Sequence, residues 1–213
     1  MKIAVFGGTG KTGRLLIDQA LGAGHSVTAY ARHPEGIGSG RHGLTVVAGE
    51  LTDASAIERA IAGADAGGSL LGQGRPVRGA PIATGTRNIL AAMSRTGVRR
   101  IVVIATASAA DPKDRPPMRS RLFIGFARVF LRPAYDDVVA TARAVRDSDL
   151  DWTIVRPPFL RDGPRTGRVA VGYLGDGVTG TYLSRPNAAD FLLRLAASDE
   201  HIREAPIVTD ARP

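Results

Sequence analysis

The residues best suited to do chemistry lie near the N-terminus, in the run Gly7-Gly8-Thr9-Gly10-Lys11-Thr12-Gly13. Within it, Gly8-Thr9-Gly10-Lys11-Thr12-Gly13 matches G-x-G-x-x-G, a spacing that lets backbone N–H groups approach a pyrophosphate. Context supports the match: the almost wholly apolar run 2–6 precedes the turn as a buried strand would, and Arg14–Leu21 follows with helical periodicity. The start of that helix adds partial positive charge where phosphate oxygens would sit. A nucleotide-triphosphate P-loop is excluded, because the glycine required five positions before Gly10-Lys11 is Val5.

The next informative position closes the second strand, Ser26–Ala31. A dinucleotide fold selective for NAD places Asp or Glu there for the ribose hydroxyls. This chain has Ala31-Arg32-His33. Arg32 suits a 2′-phosphate, which a guanidinium grips through a charge-assisted fork, so the expected cofactor is NADP, bound as NADPH.

Other chemistries are constrained by what is missing. There is no cysteine, and the four histidines (His25, His33, His42, His201) have no metal-ligand spacing, so no metal site is expected. The Tyr-x-x-x-Lys pair of alcohol–ketone dehydrogenases is absent. Four positions after Tyr30, Tyr135, Tyr173 and Tyr182 stand Pro34, Val139, Gly177 and Pro186, and no lysine follows Lys113.

The elements that position these residues alternate regularly. Strands at 45–48, 66–71, 100–105 and 152–155 alternate with helices at 54–62, 84–95 and 136–147. Such alternation implies parallel strands joined by right-handed helical crossovers, an α/β Rossmann-type doubly wound sheet with helices on both faces. A length of 213 residues suits one domain, 1–213, with no linker or repeat. Two stretches break the rhythm. Segment 157–185 is rich in Gly and Pro and reads as loops over the strand ends. Segment 111–132 opens with prolines and arginines, then turns apolar; too short to span a membrane, it reads as a helix packed on the domain or at a dimer interface, although it could touch a membrane surface. The +8 formal charge is almost all arginine, without the basic–aromatic interleaving of a nucleic-acid groove, so no nucleic-acid partner is expected. With no secretory leader legible, a cytoplasmic protein, monomer or homodimer, is the expectation.

Taken together, 7–13, Val27-Thr28-Ala29-Tyr30-Ala31-Arg32 and Asp151-Trp152-Thr153-Ile154-Val155-Arg156-Pro157-Pro158 resemble the atypical short-chain dehydrogenase/reductases. Within these, the chain is most similar to the NAD(P)H-binding, NmrA-like group around biliverdin reductase B, also called flavin reductase. The resemblance extends through 162–167 to a late helix at 188–197. It implies that Gly7, Thr9, Gly10, Lys11, Thr12, Gly13 and Arg32 contact the cofactor, that Glu50 and Leu51 lie beside the adenine, and that Leu71 and Gly72 lie next to the cofactor. Thr106 and the stretch 157–160, including Pro157 and Phe159, would flank the nicotinamide. Relatives often carry Thr-Ser or Ser-Ser after the fifth strand, where this chain has Thr106-Ala107-Ser108. Catalytic candidates are Thr106, Ser108 and Tyr135.

Two functional readings follow from the resemblance. One is an NADPH-dependent reductase of a small-molecule conjugated acceptor, a flavin, quinone or linear tetrapyrrole, for which close stacking suffices and solvent supplies the proton. The other is a catalytically silent NADP(H)-sensing regulator. The acceptor pocket would be built from 72–80, 108–134 and 159–182.

Overall fold

A computed structural model describes residues 1–38, 40–72 and 80–211. Six parallel strands form the central sheet: β1 (Lys2–Phe6), β2 (Ser26–Ala31), β3 (Leu44–Ala48), β4 (Ala66–Ser69), β5 (Arg100–Ile104) and β6 (Asp151–Val155). Their spatial order is β3-β2-β1-β4-β5-β6. Every adjacent pair is parallel. The order reverses between β1 and β4, which opens a crevice beyond their carboxyl ends.

The sheet is apolar because both its faces are covered. Along β1, Ala4 and Phe6 face one core and Ile3 and Val5 the other. The first core is closed by α2 (Ala54–Ile61), α3 (Pro81–Thr96) and α5 (Arg132–Arg146), through Ile57, Ile89, Met93 and Val145. The second is closed by α1 (Lys11–Gly22) and α6 (Arg185–Ala196), through Leu16, Ile17, Phe191 and Leu192. This is the doubly wound Rossmann-type sheet that the alternation implies.

Several boundaries differ from the sequence reading for one physical reason. Helices α3, α5 and α6 start three or four residues earlier than periodicity suggests, and each carries a proline in its first turn (Pro81, Pro133, Pro186). Proline fits there because its φ is helical and the missing N–H has no intrahelical partner. Helix α1 also starts early, at Lys11, behind Gly10, which offers no side chain to cap it. Strand β4 ends at Ser69, so Leu71 lies past the ladder. The expected loops at 157–185 are corrected by three short strands, β7 (Phe159–Arg161), β8 (Val169–Gly172) and β9 (Tyr182–Ser184). A further strand, β10 (Ile207–Asp210), pairs antiparallel with β8, while β7 and β9 pair in parallel. Segment 111–132 contains α4 (Met118–Phe130).

Helix α3 borrows its cap from α5. Ala80 at its N-cap has no side-chain acceptor, and the buried Asp137 carboxylate accepts instead from the Ile82 and Ala83 amides at 3.2 and 2.8 Å.

Candidate functional site

The glycine turn sits at the point where strand order reverses. Gly7 takes φ +86°, and a Cβ there would lie 2.6 Å from the Leu70 carbonyl oxygen. A Cβ at Gly13 would overlap the Gly7 carbonyl. At Gly8 its closest neighbour would be the flexible end of the Ile17 side chain, 2.8 Å away, with no backbone atom among its nearest contacts. The backbone constraint therefore falls on Gly7 and Gly13, and the operative spacing is Gly7-x-x-Gly10-x-x-Gly13 rather than the literal G-x-G-x-x-G from Gly8. Gly10 differs from both. Its Cβ position is open, the nearest atom being the Gly7 oxygen at 3.4 Å. The first helical bond of α1 runs from the Arg14 amide to the Gly10 oxygen, so the amides of Lys11, Thr12 and Gly13 precede it. An uncapped helix start behind an open glycine is a cradle that fits an anionic pyrophosphate.

Arg32 lies exposed at the end of β2 and makes no hydrogen bond or ion pair with another described residue. The sequence reading did not single out a second arginine, at the start of α1. Arg14 donates from Nε to the Thr9 carbonyl at 3.0 Å, and its Nη2 is 3.8 Å from where a Cβ would stand on Gly36, in the single-turn 3₁₀ helix after β2. The Arg14 guanidinium thus lies between the glycine turn and the segment that follows β2. The only sequence signal for Arg14 was its place one residue past Gly13.

Glu50 is exposed and Leu51 half-buried after β3, and their backbone is pinned from two sides. Tyr30 donates from its phenol to the Glu50 carbonyl at 2.7 Å, and Asn88 Nδ2 donates to the Leu51 carbonyl at 2.7 Å. Burial, then the nearby Asp53 and Glu50 carboxylates, push the Tyr30 phenol above its ordinary value, so it remains a donor. Leu71 is half-buried and Gly72 exposed. Most of the expected pocket segment 72–80 lies outside the described residues.

After β5, Thr106 is exposed, and its Oγ1 accepts from the Ser108 amide at 3.3 Å while its carbonyl accepts from the Ala109 amide at 3.0 Å. The Thr106 hydroxyl thus helps to form its own turn. Ser108 is half-buried beside it. Tyr135 is half-buried in the first turn of α5, and no hydrogen bond joins it to Thr106 or Ser108. After β6, Pro157 is buried, whereas Phe159 is 45% exposed with its ring centroid 6.1 Å from that of Tyr182.

Two ionic clusters frame these loops, and both escaped the sequence reading because their members are far apart in the chain. Arg156, fully buried, donates to both oxygens of Asp114 at 2.7 and 2.9 Å, to the Ala109 carbonyl at 3.1 Å and to the Ala205 carbonyl at 2.5 Å. Asp114 also accepts from the amides of Asp111 and Leu174. Burial alone would raise the Asp114 carboxyl, but the hydrogen bonds from Arg156 and the two amides outweigh it and hold the group below the ordinary carboxylate range. One arginine therefore joins the end of β6 to the loops after β5 and β8. In the second cluster the exposed Asp162, just after β7, accepts from Lys11 at 3.3 Å and from Arg185 at 2.7 Å. The Lys11 hydrogen bond, then its charge, lowers the Asp162 carboxyl. The starts of α1 and α6 are brought to one rim.

The fold does assemble a tyrosine–lysine pair, though not one in sequence register. Lys113 Nζ lies 3.1 Å from Tyr173 Oη and 2.9 Å from Glu204 Oε1, and Glu204 also contacts His201 Nδ1 at 2.7 Å. Glu204 bridges to Thr153 at the sheet edge, and among the described residues no hydrogen bond joins the cluster to Thr106. The hydrogen bond to Glu204 raises Lys113 and keeps it charged. Among the described residues, no group of three or more His, Cys, Asp or Glu is arranged to hold a metal.

Comparison with known proteins follows the same lines. Residues 7–199 match the family described as NAD(P)H-binding. The chain belongs to that family, and its architecture is the Rossmann-type fold that its structural neighbours share. An uncharacterised protein of Mycobacterium tuberculosis is 38% identical over 117 residues, which are 53% of this chain and 13% of that one. The chain thus spans a small part of that relative's length. The (4-alkanoyl-5-oxo-2,5-dihydrofuran-3-yl)methyl phosphate reductase of Streptomyces griseus is 31% identical over 157 residues, 73% of this chain and 46% of the reductase. Among solved structures, ChuY, an anaerobilin reductase from Escherichia coli O157:H7, superposes with a TM-score of 0.78 over 100% of both chains at 20% identity.

Proposed function

We propose that this protein is an NADPH-dependent reductase of a planar conjugated acceptor, a flavin, quinone or linear tetrapyrrole, with 1–213 as one NAD(P)-binding domain. The observation that carries the reading is the rim after β5 and β6. It carries a half-exposed aromatic ring, Phe159, and the small hydroxyls of Thr106 and Ser108, and among the described residues no hydrogen bond joins those hydroxyls to the Tyr173–Lys113 pair. Such a rim can stack a flat ring but offers no phenol activated by lysine. The names of the Streptomyces and E. coli proteins, both reductases, support the same class.

In this reading the Lys11, Thr12 and Gly13 amides receive the pyrophosphate, Arg32 and Arg14 receive the 2′-phosphate, and Glu50 and Leu51 border the adenine. Leu71, Gly72, Thr106, Pro157 and Phe159 line the nicotinamide half. The dinucleotide, when bound, supplies a hydride to the acceptor. The chain's own residues bind, orient and exclude water, and solvent protonates the product.

Arg32 supplies the first test. NADPH is expected to bind more tightly than NADH, and Arg32→Ala to remove about a tenfold to hundredfold preference by calorimetric titration. Equal affinities in the unaltered protein would rule out the 2′-phosphate assignment. The second test is single-turnover NADPH oxidation with FMN or a quinone in Thr106→Val, Ser108→Ala and Tyr135→Phe. Each is expected to slow the step by no more than about tenfold, because loss of a true general acid costs about 10²–10⁴-fold. A thousandfold loss at any one of them would identify a proton donor and end the stacking-only mechanism. The alternative, a silent NADP(H) sensor, is favoured by the use of the Thr106 hydroxyl in its own turn. Tight NADPH binding with every acceptor inert would establish it.

A further inference from the structure

We propose that α4 is an amphipathic docking helix that lies on the surface of a bilayer containing anionic lipid. Met118, Leu122, Phe126, Val129 and Phe130 are each 54–69% exposed, and the rings of Phe126 and Phe130 stack with centroids 4.5 Å apart. At 3.6 residues per turn these five side chains span an arc of about 120°. Ile124, half-buried, and Ala127, buried, occupy a different arc, so the helix is seated on the protein by one side and presents its larger apolar groups on another. The sequence expectation of a helix packed on the domain is therefore met only in part. A contiguous exposed patch of this kind marks a contact surface.

The choice of partner rests on charge. From 115 to 135 the chain has five arginines (115, 119, 121, 128 and 132) and no acidic residue. Arg132 pairs with Asp136, and Arg115 is taken up by the carbonyls of Pro112 and Asp114. Arg121 and Arg128 are exposed on one flank of the apolar arc and make no ion pair with a described residue. A two-fold contact through this face would bring like charges of two copies together with no carboxylate between them. Anionic headgroups complement the same flank, while the aromatic and aliphatic groups enter the headgroup boundary. Helix α4 is only about 20 Å long at 1.5 Å per residue, less than the roughly 30 Å hydrocarbon core, so it lies on the membrane rather than crossing it. No described helix is long and apolar enough to cross.

The test is co-sedimentation of the full chain with phosphatidylglycerol–phosphatidylcholine vesicles and with phosphatidylcholine vesicles alone. Binding is expected to the first and not the second, and to weaken steeply with salt. Phe126→Asp with Phe130→Asp should reduce binding at least about tenfold, as desolvating two carboxylates opposes insertion. Arg121→Gln with Arg128→Gln should weaken it and flatten the salt dependence. Far-UV CD and NADPH affinity of each variant, measured in parallel, check folding without relying on the membrane readout. Equal binding to neutral vesicles, or none to either, overturns the proposal. So does a dimer by light scattering that Phe126→Asp splits into monomers while vesicles remain unbound, which would assign the face to a second copy.

Discussion

Asp114→Ala is expected to destabilise the protein by about 3–5 kcal/mol, read as a lower urea midpoint with unchanged slope. The loss follows from what the substitution leaves behind. Arg156 is wholly buried and Asp114 nearly so, at 0% and 6% side-chain exposure, and without the carboxylate the guanidinium stays charged in a site that water does not reach. The paired substitution Arg156→Met with Asp114→Leu should recover much of the loss, because removing both charges removes their desolvation cost as well. An Asp114→Ala variant as stable as the parent would show that the pair is not what ties these loops.

The same contact gives a pH signature. The Asp114 carboxyl is held below its unfolded value in the folded chain, burial notwithstanding, by Arg156 and the two loop amides. A depressed carboxyl contributes stability that is fully present above the unfolded pKa, near 3.9, and is lost as pH falls through the folded value. The stability gap between parent and Asp114→Asn should therefore be largest near neutrality and close in acid. A gap that stays constant to low pH would mean the effect is one of packing alone.

Gly10→Val is expected to lose NADPH binding by more than about a hundredfold while leaving the far-UV CD spectrum intact, since several charge-assisted contacts of about 1.5–3 kcal/mol each would go together. Gly10 has φ −72° and ψ 161°, which any L-residue adopts, and its Cβ direction is open. The valine would occupy space in front of the first-turn amides and disturb nothing else. Gly13→Val is the contrast: its Cβ would collide with the Gly7 carbonyl, so the fold itself should suffer. Normal calorimetric binding by a folded Gly10→Val variant would place the cofactor elsewhere.

Which parts of this molecule could be read from sequence depends on distance along the chain. Strand β1 was legible because a strand buried on both faces is apolar along its buried stretch, here Ile3-Ala4-Val5-Phe6. Arg32 could be placed at a strand end because it lies immediately after β2. Gly7 was harder to single out from Gly8, since both are glycines and only the Leu70 carbonyl decides which one must be. The Arg156–Asp114 pair spans 42 residues and the Lys113–Tyr173 contact 60, and no local pattern announces either. Strands β7, β8 and β9 are three or four residues long, too short for a period to register. The apolar content of α4 was visible, but the face it turns outward is a property of its seating on the rest of the chain.

The hub at Arg156 also bears on how freely the proposed acceptor pocket could be redesigned. Apart from Asp114, its partners are main-chain carbonyls, those of Ala109 and Ala205, and the remaining partners of Asp114 are main-chain amides. The clamp therefore reads the path of the surrounding loops and is indifferent to most of the side chains they carry. Substitutions at positions such as Ala107, Ser108, Leu174 or Phe159 can change the shape offered to an acceptor without releasing the frame that holds it. A library confined to those positions, with Arg156 and Asp114 kept, should contain mostly folded proteins that differ in the molecules they accept.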